Sequence, residues 1–186
     1  MKNYLQTPQE IRHQIWKELG RATQDRHHAW RTPVLATASE NGLVNARTVV
    51  LREVDVVRNN LVIYTDERSS KVSEIMKQQA GLFVFWSGRL NWQLRARVNV
   101  TAITSGLEVE QLWQRISQSA AANDYLGQDA PGTVRCETVN PTKTTSQKNY
   151  FTVLNAAVTE MDWLELRRDG HRRARIFPQS WEWLTP

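Results

Sequence analysis

Cysteine is almost absent: the 186-residue chain has one, Cys136. A lone thiol excludes an internal disulfide, and without a neighbouring Cys/His cluster it offers no zinc site. Long apolar runs are missing too. No segment approaches the roughly 18 consecutive apolar residues of a membrane span, so a helical membrane protein is excluded. The opening MKNYLQTPQE has neither the basic region nor the apolar run of a signal peptide, and the expected location is cytoplasmic. Internal repeats and low-complexity tracts are also lacking.

What is present suits one domain, 1–186, since this length buries a sizeable core and is short for two. Lys and Arg total 24 against 19 Asp and Glu, giving a net charge of +5 and a pI near 9.7. That balance points to an anionic partner, with nucleotide cofactor and nucleic acid both open. Eight tryptophans are many for this length, and such rings serve as core, interface or stacking surface.

Thr7-Pro8-Gln9-Glu10 reads as a capping box with proline at the first helical position. Ile11, Ile15 and Leu19 then recur at helical spacing, which predicts a helix over about 8–24. His27-His28 falls in a polar connector with no companion ligands, and the expectation is two solvated loop residues. Two β-rich runs flank Asn41-Gly42, a pair that favours a tight hairpin. NNLVIYT reads as a strand, SSKVSEIMKQQ as a short helix, and GLFVFWS as a strand buried on both faces. In NWQLRARVNVTAIT, Trp92, Leu94, Ala96, Val98 and Val100 alternate with Gln93, Arg95, Arg97, Asn99 and Thr101, so one face is core and the other polar. SGLEVEQLWQRISQSAA predicts a second helix with Leu107 and Trp113 among its apolar positions. Turn formers then predict a long loop over about 123–149. YFTVLNAAVTEMDWLELRR, a turn at Asp169-Gly170 and HRRARIFPQSWEWLTP return to strand. Roughly six short β-runs with inserted helices predict a mainly β fold with flanking helices, a small antiparallel barrel.

The chemistry concentrates in TDERSSK, at the turn from a strand into a helix. A phosphate needs convergent N–H, O–H and cationic donors, and a helix N-terminus supplies free backbone N–H groups. Thr65, Ser69 and Ser70 add hydroxyls and Lys71 a compact charge. The plainer alternative is that Ser69 only caps the helix. Upstream, strand alternation places Arg47 on a face with Val49 and Leu51, opposite Thr48, Val50 and Arg52. An arginine there needs an anion, either a buried carboxylate or a ligand phosphate.

The order RTVVLR, YTDERSSK, NWQLRARV, Trp163 and a terminal HRRARI resembles the pyridoxamine 5′-phosphate oxidase-like FMN-binding split β-barrels, over roughly Pro33 to Pro186. The resemblance implies that Arg47, Thr48, Val49, Val50, Leu51 and Arg52 lie along an FMN. It implies further that Tyr64, Thr65, Ser70 and Lys71 hold the ribityl phosphate, that Gln93 reaches the ring system, and that Trp163 and Arg175 complete the pocket. It also implies a homodimer with FMN at the interface, each pocket drawing on both chains. A fixed cation beside the N1–C2 edge of a flavin raises its reduction potential, and Arg175 is the candidate.

Departures from the family pattern define what is particular to this chain. The oxidases have arginine before the motif lysine; here that position is Ser70, with Arg68 upstream as a possible substitute. Their Gln-Ser pair matches Gln128-Asp129, which makes Gln128 a candidate. Their substrate-phosphate helix presents Tyr, Arg and Ser at four-residue intervals, where this chain has Leu112, Ile116 and Ala120, and Leu112 and Ile116 are expected to line an apolar pocket instead. The terminal Arg-x-His is replaced by His171-Arg172-Arg173. The resemblance implies an FMN-dependent oxidoreductase acting on a small molecule, and these departures predict that it is not an efficient pyridoxamine 5′-phosphate oxidase. A non-catalytic flavin carrier or sensor is the first alternative. A basic nucleic-acid-binding barrel using its arginines and tryptophans is the second.

Overall fold

The computed structural model describes residues 7–134 and 148–186. Cys136, and with it positions 135–147 of the expected loop, lie outside the described residues. Helix α1 (Pro8–Gln24) begins at the expected box. The Thr7 hydroxyl accepts from the Glu10 N–H at 3.2 Å, and the Glu10 carboxylate accepts from the Thr7 N–H at 3.1 Å. Two donors of the first turn are thereby satisfied. Ile11, Ile15 and Leu19 are fully buried, as their spacing requires.

Among the described residues the β-runs resolve into nine strands, more than their outline in the sequence suggests: β1 (Val34–Ala38), β2 (Val44–Thr48), β3 (Leu51–Asp55), β4 (Asn60–Asp66), β5 (Ala80–Ser87), β6 (Trp92–Ile103), β7 (Phe151–Glu165), β8 (Arg172–Ile176) and β9 (Trp181–Leu184). Helices α2 (Ser70–Lys77) and α3 (Leu107–Ile116) flank them, with 3₁₀ turns at Ala29–Arg31 and Ala120–Tyr125. The sheet runs β2-β1-β5-β6-β7-β4-β3, and β8 pairs with β7 and β9. Strands β2 and β3 stand at opposite ends of that path, yet only Val49 and Val50 separate them. Thr48 to Leu51 spans at most ~11 Å, so the sheet must curl until its ends almost meet without pairing. The result is a split barrel, mainly β with flanking helices. Among the described residues no helix is long and apolar enough to cross a membrane.

The barrel interior is filled by inward residues of successive strands, among them Leu35, Phe83, Phe85, Leu94, Ala96 and Trp163, with Trp30 and α1 packed against them. A second apolar cluster lies under α3, on the other side of β4, where Val62, Val109, Leu112, Tyr125, Phe151 and Val153 meet.

Several local expectations are corrected. Asn41-Gly42 does not form a two-residue hairpin, because the β1–β2 connection is 39–43, with Gly42 at φ +79° and Ser39 closing it through hydrogen bonds to Leu43 and Gly42. β5 is buried on one face only: Phe83, Phe85 and Ser87 point inward while Trp86 is 48% exposed. In α3 the apolar contacts come from Val109, Leu112, Ile116 and, as expected, Trp113, whereas Leu107 is exposed. Leu112 and Ile116 pack into the second cluster beside Tyr125 and Phe151 and do not line an open pocket. His28 is not a solvated loop residue. Its Nδ1 accepts from the Trp30 N–H at 3.1 Å, which leaves Nε2–H to donate to Glu18 at 2.9 Å. Glu18 is 1% exposed and also meets Arg21 and Arg89. Burial opposes its charge, but the His28 hydrogen bond and the two arginines outweigh burial and lower its pKa.

Candidate cofactor-binding site

The turn after β4 gathers the donors that a phosphate requires. Lys71 Nζ donates to Thr65 Oγ1 at 2.9 Å and to Ser69 Oγ at 3.0 Å. Among the described residues no carboxylate forms an ion pair with Lys71. Burial, reinforced by the Arg47 charge, outweighs the Asp66 and Glu74 carboxylates and pushes the Lys71 pKa below its ordinary value. The capping alternative for Ser69 fails. Its hydroxyl donates to the Asp66 carbonyl at 2.8 Å, and α2 has no side-chain cap. The Val72 N–H donates to Ser69 O at 2.9 Å, which leaves the Ser70 and Lys71 N–H groups as the donors at the start of α2. Ser70 sits at the exposed first residue of that helix. Hydroxyls, an uncapped helix start and an ammonium without a counter-ion together fit a phosphate monoester, the anionic end of FMN.

Arg47 has its anion within the chain. Glu74 of α2, 7% exposed, accepts from Arg47 Nη2 at 3.1 Å, from Thr37 at 2.5 Å and from Asn45 at 2.6 Å, and Arg47 also meets the Thr37 hydroxyl. Burial disfavours the Glu74 charge, but these hydrogen bonds hold its pKa below the usual range. The buried-carboxylate alternative is the one realised, and Arg47 joins α2 to β1 and β2.

The Arg47–Arg52 run is not one strand. It breaks at Val49-Val50, with Val49 N–H donating to Pro33 O at 2.9 Å, and restarts as β3 at the other end of the sheet. Inward alternation nevertheless survives, since Val49 and Leu51 are buried and Thr48 is exposed. The pairing of β3 with β4 slips between Leu51 and Glu53, so Arg52 is the extra residue of a bulge. Bulges re-aim side chains. Arg52 lies over the Tyr64 ring, 5.8 Å from its centroid, and its buried Nε has no hydrogen-bond partner among the described residues. Nearby, burial together with the Arg52 and Arg26 charges lowers the Arg31 pKa. Arg52 also hydrogen-bonds Tyr125 and Arg31 donates to the Ala22 and Thr23 carbonyls, and among the described residues no carboxylate forms an ion pair with either arginine.

Tyr64 separates from Thr65, as adjacent strand residues must. Its ring packs on Phe151 and its hydroxyl donates to Glu53 at 2.5 Å, while burial and that bond push the phenol pKa up. The Tyr64 side chain is thus engaged with Phe151 and Glu53 and not with the Lys71 cluster. Gln93, Leu164 and Arg173 form one cross-strand row on the outward face of the sheet, and Arg95, Asp162 and Arg175 form the next. Arg175 pairs with Glu182 at 2.9 Å. Trp163, 0% exposed, points the other way, into the core against Trp92. Gln128 is exposed, and its carbonyl accepts from Arg68 Nη1 at 2.9 Å. Arg68 is engaged in that contact and with Asp66, not free to replace the missing phosphate arginine. Sequence reasoning missed Glu74, whose only signal was a lone carboxylate on the apolar side of a short helix.

Residues 13–104 match the family model described as the pyridoxamine 5′-phosphate oxidase FMN-binding domain. That span includes the 47–52 run, the Lys71 turn and Gln93; Gln128, Trp163 and Arg175 lie beyond it. A pyridoxine/pyridoxamine 5′-phosphate oxidase of Allorhizobium ampelinum is 36% identical over 80 residues, 43% of this chain and 37% of that protein. The match therefore spans little more than a third of that relative's length. A pyridoxamine 5′-phosphate oxidase-related, FMN-binding protein of Nostoc punctiforme superposes with a TM-score of 0.72 at 24% identity, over 98% of this chain and 100% of that one. PhzG of Burkholderia lata, solved with tetrahydrophenazine-1-carboxylic acid, gives 0.76 at 18% identity, over 99% and 98%. These two likenesses concern the fold. The matched FMN-binding domain carries the Lys71 turn and the fold is shared along nearly the whole chain, so the protein is similar to the pyridoxamine 5′-phosphate oxidase-related FMN-binding split barrels.

Proposed function

We propose that the protein is a cytoplasmic, homodimeric FMN-dependent oxidoreductase built from one domain and acting on a small anionic molecule. The observation that carries this reading is the Lys71 ammonium, held by hydroxyls at an uncapped helix start with no paired carboxylate. Bound FMN supplies the redox chemistry. The chain's own residues bind and orient it: Thr65, Ser69, Ser70 and Lys71 take the phosphate, and the backbone at 47–52 runs along the cofactor. Arg52, the bulge cation without a partner at Nε, is positioned to meet an anionic group of the substrate.

The second subunit has a physical motive. Val34, Val44, Leu82, Val84, Trp86 and Leu164 project from the outward face of the sheet by their register, and several are well exposed. The edges of β2 and β3 are also unpaired in the sheet path. A second copy laid on this face buries the apolar strip and brings Gln93 and Arg175 of one chain toward the 47–52 run of the other. The nucleic-acid alternative loses its footing, because Arg172, Arg173 and Arg175 are each paired with Glu165, Asp162 and Glu182 respectively.

The phosphate-gripping helix of the oxidases has no counterpart, since Leu112 is core and the other two positions are Ile116 and Ala120. Loss of several such contacts costs multiple powers of ten in binding, at about 1.4 kcal/mol per factor of ten. The test is reconstitution of the purified protein with FMN, followed by assay of pyridoxamine 5′-phosphate and pyridoxine 5′-phosphate oxidation. A yellow protein with negligible turnover of both is expected; failure to retain FMN, or turnover with a micromolar KM, overturns the corresponding part of the reading.

A further inference from the structure

Arg68 makes more directional contacts than any other side chain at the turn, and none of them is to the Lys71 cluster. Its Nε and Nη2 donate to the two Asp66 carboxylate oxygens at 3.0 and 2.7 Å, and its backbone N–H donates to the same carboxylate at 2.8 Å. Nη1 and Nη2 also donate to the carbonyls of Gln128 and Gly127, at 2.9 and 3.0 Å. Its guanidinium carbon lies 3.4 Å from the centroid of the Tyr150 ring. Tyr150 in turn donates its N–H to Tyr125 O at 2.9 Å and accepts from the Glu67 N–H at 2.8 Å. Three segments distant in sequence, 66–69, 125–128 and the start of β7, thus meet on one side chain.

The same turn shapes the anion cluster. The Asp66 carbonyl accepts from both the N–H and the hydroxyl of Ser69, at 3.1 and 2.8 Å, and Ser69 Oγ accepts from Lys71. Asp66 itself is 5% exposed, so without Arg68 a buried carboxylate loses its cation and the turn loses its brace.

We propose that Arg68 is a positioning residue that clasps the 125–128 segment to the phosphate-binding turn, so that order in this segment and retention of a phosphate at Lys71 are linked. This rests on the FMN reading of the site. It assigns to Arg68 a role through backbone carbonyls, not as a replacement ligand for the phosphate. A planar fork with five donors can hold a carboxylate, two carbonyls and a ring face together; a lysine cannot.

The test compares wild type with Arg68→Lys and Arg68→Ala by amide hydrogen exchange over 123–134 in flavin-free protein, and by FMN and riboflavin titration. Exchange in the segment should rise roughly tenfold or more in both variants, since both lose the paired carbonyl contacts. FMN affinity should fall several-fold in both, with riboflavin affinity unchanged. Unaltered exchange overturns the clasp, and so does recovery of FMN affinity in Arg68→Lys, which would mean that charge alone matters. Equal losses for FMN and riboflavin also overturn the link to the phosphate. Should wild-type protein bind no FMN, the cofactor reading fails, and the exchange measurement still decides the clasp.

Discussion

Replacing Lys71 by alanine removes the one ammonium at the cluster and leaves Thr65, Ser69 and the α2 N-terminus in place. A charge-assisted contact to a phosphate in a partly dry site contributes about 1.5–3 kcal/mol, so FMN affinity should fall roughly 10- to 150-fold. Riboflavin, which carries the same ring and no phosphate, should bind Lys71→Ala and wild type alike. Titration by flavin fluorescence reads both ligands in one format, and repeating it at higher salt should change the FMN loss little, because partly buried charges are weakly screened. Arg47→Ala provides the contrast. Arg47 is satisfied by Glu74, so its removal should lower folding stability by about 1–3 kcal/mol, the cost of leaving that carboxylate short of a donor, before it affects FMN. A loss under about threefold for FMN in Lys71→Ala, or an equal loss for riboflavin, would refute phosphate anchoring at this turn.

Acid should unfold the protein through three buried carboxylates. For Glu18, Glu74 and Asp162, burial raises the pKa but hydrogen bonds and neighbouring cations lower it further, below ordinary values of 4.5, 4.5 and 3.8. Stability from such groups is fully present above the unfolded value and is lost as pH falls through the folded one. Urea midpoints should therefore be flat above about pH 5 and fall below it, with a shallower fall in Glu18→Gln; an unchanged slope in that variant would remove Glu18 from the account. On the outward face, Trp86→Asp should turn a sedimenting dimer into a monomer and release FMN without loss of secondary structure, whereas a flavin-loaded wild-type monomer would contradict assembly through this face.

The elements that the sequence shows plainly are those whose signals are local. The Thr7–Glu10 box and the 11-15-19 spacing define α1 with its observed bounds, because capping and amphipathicity act within a few residues. The inward and outward alternation of β6 is legible for the same reason. What escapes is decided by distant partners. His28 has nothing in its own neighbourhood to distinguish it from His27, and only the approach of Glu18 from α1 makes it a buried hydrogen-bond donor. Arg47 announces that it needs an anion, but choosing between a ligand and Glu74 requires knowing that α2 folds back over β1 and β2. Trp163 resembles a pocket residue by its order in the chain, and the register of β6, β7 and β8 turns it into the core.

The position of the anion cluster follows from the seam of the barrel. A chain that steps from one end of the sheet to the other through Val49 and Val50 brings two edge strands close without letting them pair, and unpaired edges need cover. Helix α2 covers part of this region by returning Glu74 to Arg47, Thr37 and Asn45. Because Glu74 lies four residues after Ser70, the same helix points its start back at the β4 turn, where Lys71 stands one residue inside it. The carboxylate that locks the helix in place is therefore spent on Arg47, and the ammonium at its beginning is left facing hydroxyls. A fold that closes its seam with a short helix in this way leaves hydroxyls and an ammonium at the helix start without any loop dedicated to them, which is the physical basis of the phosphate site proposed above.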